Sequence, residues 1–310
     1  MPRGGKAEKA MVPEAEFRSY YDRPVLKEPV WKWYVPAYFF AGGLAAGSAM
    51  MAAGADLLGR PDIARRARIA AATGASVGSV LLVADLGRPA RFLNMLRVAK
   101  PTSPMSVGSW VLTLFGPAAG VAAVTDVLGV FPRIGRAAGL AAAALAPALG
   151  SYTAVLLADT AVPAWHEAGR ELPFLFVGGA SATSGALGVM LAPIEDAAPA
   201  RRLALVGAAV EMCAARMMER NLPEEVARPY RAGPTGKVTK AALGLTAAGA
   251  ALVASWGRRR RAGALVGGAL LMTGALVERY AVVDAGRASA RDPGATVVPQ
   301  RQRVNARRER

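Results

Sequence analysis

The sequence predicts an all-α polytopic membrane protein of about eight transmembrane helices in two four-helix halves, and three observations carry that prediction. Charge is scarce, at 19% of 310 residues, where a soluble domain carries about a quarter. The charge is also unevenly placed. Apolar stretches of roughly 20 residues, enough to cross about 30 Å of hydrocarbon, alternate with connections dense in Arg. Finally, Pro and Gly punctuate those connections, at Gly59 and Pro61, Gly87 and Pro89, Pro132, Pro163, Pro193, Pro223 and Pro229.

Taken in order, residues 1–32 form a polar N-terminal segment. It has no apolar stretch of the kind a cleavable signal peptide requires, and none is expected. Eight spans follow in a membrane domain over 33–286: 33–58, 64–86, 106–130 and 134–158 in a first half (about 33–160), then 173–192, 202–219, 238–256 and 262–284 in a second (about 173–286). Ser103 is placed to cap the third span, with Pro104 in its first turn. A basic tail, 287–310, is expected to be disordered.

The spans are rich in Ala and Gly, and five carry small pairs four residues apart: Gly43/Gly47, Gly74/Gly78, Gly116/Gly120, Gly135/Gly139 and Gly263/Gly267. Such pairs let helix backbones approach closely where lipid supplies no hydrophobic drive. A faint internal echo supports the halves. "YFFAGGLAAGS" in the first span resembles "FLFVGGASATSG" in the fifth, and "ADLGRP" resembles "MERNLP" four spans later. An offset of four spans, an even number, makes the halves parallel, not inverted.

The composition also excludes functions. A net charge of +16 could suggest nucleic acid. The basic residues flank apolar spans, however, where lipid headgroups account for them, and no aromatic–basic interleaving accompanies them. The single cysteine, Cys213, cannot build an iron–sulfur cluster of about four thiolates. The single histidine, His166, cannot provide paired haem ligation and reads as a surface loop residue. No metal site is expected, and no redox centre belongs to the chain itself. The face bearing the N-terminus, here the N-face, holds twice the Lys and Arg of the other. That bias favours a cytoplasmic N-face in the cell membrane.

Polar residues inside the spans gather toward the N-face. Tyr34 and Tyr38 share one side of the first span, Asp85 ends the second, and Tyr152 and Asp159 share one side of the fourth. Glu211, Arg216 and Glu219 lie late in the sixth, and Glu278, Arg279 and Asp284 late in the eighth. Asp56 and Asp126 are exceptions at the opposite face. Intramembrane charges cost about 2.5–3.5 kcal/mol each and mark cavities or mutual pairs. For Asp85 the partner could be Arg88 or Arg91. The tyrosines Tyr20, Tyr21 and Tyr34 also suit an interfacial aromatic belt.

Two stretches, "SYYDRPVLKEPVWKWYVPAYFFAGGLAAGS" and "ADLGRPARFLNMLRVAKPTSPMSVGSW", together with "SYTAVLLADTAVPAW", resemble the NrfD/PsrC family of polysulfide reductase-like membrane subunits. The resemblance is strongest over residues 19–165. It implies a subunit that binds menaquinone or ubiquinone and exchanges electrons with a ferredoxin-like, four-cluster iron–sulfur subunit docked on a molybdopterin catalytic subunit. It also implies the residue roles. Tyr34 and Tyr38 stand where the family's first helix opens toward the quinone, a place where some branches carry His or Asn. Asp85 would take the quinol proton with Arg88 tuning it, Tyr152 would hydrogen-bond a quinone oxygen, and Asp159 would complete the pocket. Glu211, Glu219, Glu278 and Arg279 match polar positions of later helices and would form a proton pathway. Catalytic partners of such subunits often lie outside the cell, against the charge bias. A proton-coupled secondary transporter is the alternative, and the parallel echo argues against it.

Overall fold

A computed structural model of the chain describes residues 24–308; Tyr20, Tyr21 and most of the polar N-terminal segment lie outside them. Among the described residues there are helices and no strands. Helix α1 is Tyr34–Leu57, α2 is Pro61–Asp85, and the short α3 is Arg91–Met95. They are followed by α4 (Pro104–Leu128), α5 (Pro132–Ala158), α6 (Pro163–His166) and α7 (Leu172–Leu191). The chain then runs through α8 (Ala198–Asn221), α9 (Glu224–Arg231), α10 (Gly233–Ala254), α11 (Arg261–Arg291) and α12 (Pro293–Arg308).

Several starts and stops follow from local chemistry. Ser103 is in an extended conformation and its side chain accepts from the Ser106 N–H at 3.5 Å, with Pro104 at the first helical position of α4. Proline also opens α2, α5 and α6, where its missing N–H costs nothing. Asp85 is the last residue of α2, as the sequence places it.

Seven helices among the described residues are long and apolar enough to cross a membrane: α1, α2, α4, α5, α7, α10 and α11. The expected sixth span is α8, which falls short on apolarity. Arg201, Arg202, Arg216 and Arg220 lie among its residues with Glu211 and Glu219. Its 24 residues still extend about 36 Å at ~1.5 Å per residue. Its inner face (Ala204, Gly207, Ala208, Glu211, Ala214, Ala215, Met218) is buried, and it packs along α7 and against α10. The α8 helix therefore takes the sixth place in the bundle with a buried inner face, but it is too polar on its outer side to count among the apolar spans.

Helices α1, α2, α4 and α5 pack in a closed ring, and α7, α8, α10 and α11 pack in a second. The rings meet through α1 with α7, flanked by α5 with α7 and α1 with α11. Glycine sets the seam. A Cβ on Gly47 would sit 2.5 Å from the Ala180 carbonyl oxygen and from the Ser184 Oγ, so only glycine permits this backbone approach. The same holds at Gly74 against α1 and at Gly267 against Val253, whereas Gly116 and Gly120 meet nothing and are not packing positions.

The two acidic exceptions at the face opposite the N-face form an ion cluster. Arg68 binds Asp126 at 2.9 Å and also binds Asp56, tying the ends of α1 and α4 to α2. Arg60 pairs with Asp196 there, and Arg261 donates to the Ala192 carbonyl at 2.8 Å.

The expectation of a disordered tail from residue 287 is corrected. The last span runs on to Arg291, and residues 293–308 form α12. Contacts from distant parts of the chain hold this extension. Ser289 Oγ accepts from the Ala164 N–H at 3.2 Å, and the Trp165 indole donates to the Val282 carbonyl at 2.7 Å. Arg291 donates to both oxygens of Glu28 at 2.8 and 2.6 Å, and Arg303 pairs with Glu167. His166 is exposed on α6, with its Nδ1 3.1 Å from the Ala158 carbonyl oxygen.

Candidate functional site

The first ring holds a cavity of about 100 Å³ at its N-face end. One water takes about 30 Å³ of liquid, so the space suits a ring-sized group. Helix α1 contributes Tyr34, Val35, Tyr38 and Phe39, and α2 contributes Leu81, Leu82 and Asp85. Ser109 enters from α4, Tyr152 and Leu156 from α5, and Trp31 from the segment before α1. The walls are apolar, and the oxygens of three tyrosines, one carboxylate and one serine interrupt them.

Tyr38 is the most telling member. It is 3% exposed, and its hydroxyl has no hydrogen-bond partner. A buried hydroxyl left unpaired costs about 1–3 kcal/mol, so its position asks for a polar atom inside the cavity. Tyr152 is 9% exposed and is fitted against α4 at Gly108, where a Cβ would come within 2.0 Å of the ring. Ser109 is occupied, donating to the Met105 carbonyl at 2.8 Å. Asp85 is half-buried at the rim and makes no ion pair among the described residues.

The structure thus brings Tyr34, Tyr38, Asp85 and Tyr152 together around one cavity and leaves other expected members out. Arg88 is exposed on the turn after α2 and does not line the cavity. Arg91 donates to the Leu86 carbonyl at 3.3 Å instead of pairing with Asp85. Asp159 is exposed just past the end of α5, away from the lining. Residues not singled out from sequence complete the wall, above all Trp31 and Phe39. Trp31 stacks on Trp165 at 5.0 Å and meets Phe39 edge-on at 6.4 Å. The signal was the aromatic pair in "VWKW", hidden by its polar neighbours.

A second cluster lies in the other ring. Arg279, 2% exposed, donates to the Phe176 carbonyl at 2.9 Å and pairs with Glu278, and its guanidinium carbon lies 3.9 Å above the Phe176 ring. Glu211, 1% exposed, has no hydrogen-bond partner on either carboxylate oxygen. A Cβ on Gly179 would be 2.7 Å from Arg279 Nη2 and 2.9 Å from Glu211 Oε1, so at most the sum of those distances separates the two groups. Two acids against one guanidinium balance only when one carboxyl carries a proton. Glu219 does not join them; its backbone carbonyl accepts from Arg231. The two clusters are physically linked, because Phe39 of the cavity wall packs on Phe176 at 5.8 Å and Phe176 carries Arg279.

No group of three or more His, Cys, Asp or Glu side chains suited to a metal occurs among the described residues. The family model described as polysulfide reductase, of the NrfD type, matches residues 20–291. No curated protein matches the chain.

Proposed function

The chain belongs to the NrfD-type polysulfide reductase family and is a multi-pass membrane subunit of an oxidoreductase complex, and we propose that its own task is to bind and turn over a membrane quinone. The observation that carries this reading is the apolar cavity into which Tyr38 sets a buried hydroxyl that has no partner within the protein. A menaquinone or ubiquinone headgroup offers a flat ring with carbonyl oxygens at its edge, and its reduced form supplies two electrons and two protons.

In this reading Tyr38 and Tyr152 donate hydrogen bonds to the headgroup oxygens, and Trp31 and Phe39 wall off water. Asp85, free of an ion pair and at the rim, takes or gives the proton at the boundary between cavity and N-face. Glu211, Glu278 and Arg279 hold one exchangeable proton in the second ring and form a proton route beside the cavity, from which Glu219 stands apart. Electrons pass to a partner, for which a ferredoxin-like four-cluster iron–sulfur subunit bound to a molybdopterin subunit is the reading the family favours.

The test has two parts. Affinity purification of the tagged chain from mild-detergent membranes should bring down iron–sulfur and molybdopterin subunits. Quinone-dependent turnover of that complex should fall at least about tenfold in Asp85→Asn and in Tyr152→Phe, the usual scale for loss of a proton-transfer or orienting group. Full turnover by both variants in an intact complex would remove the quinone role and leave a structural anchor.

A further inference from the structure

A cavity of about 550 Å³ lies on the outer side of the second ring, between α7 and α8 at the N-face. It shares no residue with the quinone cavity. Its floor and sides are apolar: Phe174, Ala209, Val210, Cys213, Ala214 and Met217. Phe174 and Met217 are 65% and 56% exposed, so the groove faces the bilayer and is open along its length. At its mouth, where α7 begins, the lining changes to Arg170, Glu171 and Asn221.

These three residues form an ordered polar edge. Glu171 is 7% exposed, and the Asn221 amide donates to its Oε1 at 2.7 Å, which fixes the carboxylate in the groove wall. Arg170 is exposed and has no hydrogen bond or ion pair among the described residues. One cation and one held carboxylate therefore sit side by side, at the depth where lipid headgroups begin, above an apolar channel.

We propose that this groove is a binding site for a zwitterionic aminophospholipid, phosphatidylethanolamine. Its phosphate pairs with Arg170, its primary ammonium with Glu171, and one acyl chain runs along Val210, Cys213 and Met217. The charge pattern selects among membrane lipids. An anionic glycerol headgroup would meet the Glu171 carboxylate without a compensating cation, and a choline headgroup has no N–H to donate to it. A positively charged rim alone would have favoured anionic lipid. The built-in carboxylate reverses that order.

The experiment uses the chain purified in mild detergent with its native subunits, delipidated, then incubated with an equimolar mixture of phosphatidylethanolamine, phosphatidylglycerol and phosphatidylcholine. Native mass spectrometry reads the lipid retained. The expected result is about tenfold enrichment of phosphatidylethanolamine over the other two, equivalent to about 1.4 kcal/mol. Arg170→Gln should lose retention of all three, and Glu171→Gln should level phosphatidylethanolamine with phosphatidylcholine. Because Glu171 is buried and its replacement could disturb folding, Val210→Trp with Met217→Trp provides a second probe. Both residues are exposed, and filling the groove should displace the lipid without touching the polar edge. Alkylation of Cys213 by a membrane-permeant maleimide should slow when phosphatidylethanolamine is present and should not slow in the filled variant. Equal retention of the three lipids, preference for phosphatidylglycerol, or unchanged retention in the filled variant would each overturn the assignment.

Discussion

Replacing Tyr38 with Phe should push stability and function in opposite directions. The hydroxyl is buried and unpaired within the protein. Removing such a group relieves a desolvation penalty of about 1–3 kcal/mol, and the ring volume is kept, so no cavity term offsets the gain. In detergent without added quinone, Tyr38→Phe should therefore unfold at a higher temperature than the native chain. With quinone present, the same substitution removes the buried hydroxyl that no protein group occupies. Loss of one hydrogen bond of about 1–3 kcal/mol weakens binding by roughly 5- to 150-fold. The paired assays are thermal unfolding of the purified chain and quinone titration followed by tryptophan quenching, since Trp31 lines the cavity. A lower unfolding temperature would mean that the hydroxyl has a structural partner, and unchanged quinone affinity would mean that it does not face the headgroup. Either result refutes the reasoning.

Gly108→Ala should displace the Tyr152 ring, because a methyl there would lie 2.0 Å from it and carbon contacts sit near 3.5–4.0 Å. Turnover should drop by about two orders of magnitude for a shift of ~1 Å or more, and full activity in the assembled complex would show that Tyr152 is not a positioned group. Arg279→Leu should destabilise the chain by about 3–5 kcal/mol, because it leaves Glu278 and Glu211 buried without a counter-charge. Glu211→Gln should keep the chain folded while lowering proton-coupled turnover, and comparable folded yields of both variants would contradict this. The hydrogen bond and the charge of Arg291 hold the Glu28 carboxyl below its ordinary range. Its folded value is therefore the lower one, so the Glu28–Arg291 tether contributes above the ordinary carboxylate range and is lost as pH falls through the lowered value. The pair is exposed, and the effect is modest. Glu28→Gln at neutral pH should reproduce the acid-induced change in Trp31 and Trp33 emission, and no change in either condition would exclude the tether.

The sequence made the helices legible because the bilayer leaves so few options: apolar runs of the right length, broken by Pro and Gly, and a cap at Ser103. Tyr34, Tyr38, Asp85 and Tyr152 could be grouped because helices that alternate direction bring their polar ends to one face. Which side of a helix faces a cavity was much less legible. Seven-residue spacing put Asp159 with Tyr152, yet α5 ends at Ala158, so Asp159 falls outside the lining. Arg88 follows Asp85 closely in sequence, but the turn carries it outward. Trp31 and the helical tail were hidden for a shared reason. Both are held by partners far away in the chain, Trp165 for the first and Ala164 with Val282 for the helix extension, and local composition records no such contacts.

The glycine seam between α1 and α7 bears on how electrons could move. With the Gly47 backbone set against the Ala180 carbonyl and Ser184, the two rings meet there at backbone distance, beside the Phe39–Phe176 contact. A machine that rocks one half against the other to expose a site alternately to each side would have to break this joint in every cycle. An electron-transfer subunit has the opposite need. Tunnelling rates fall steeply with the gap between donor and acceptor, so a fused framework that fixes the pocket's position sets that rate once, when the complex assembles.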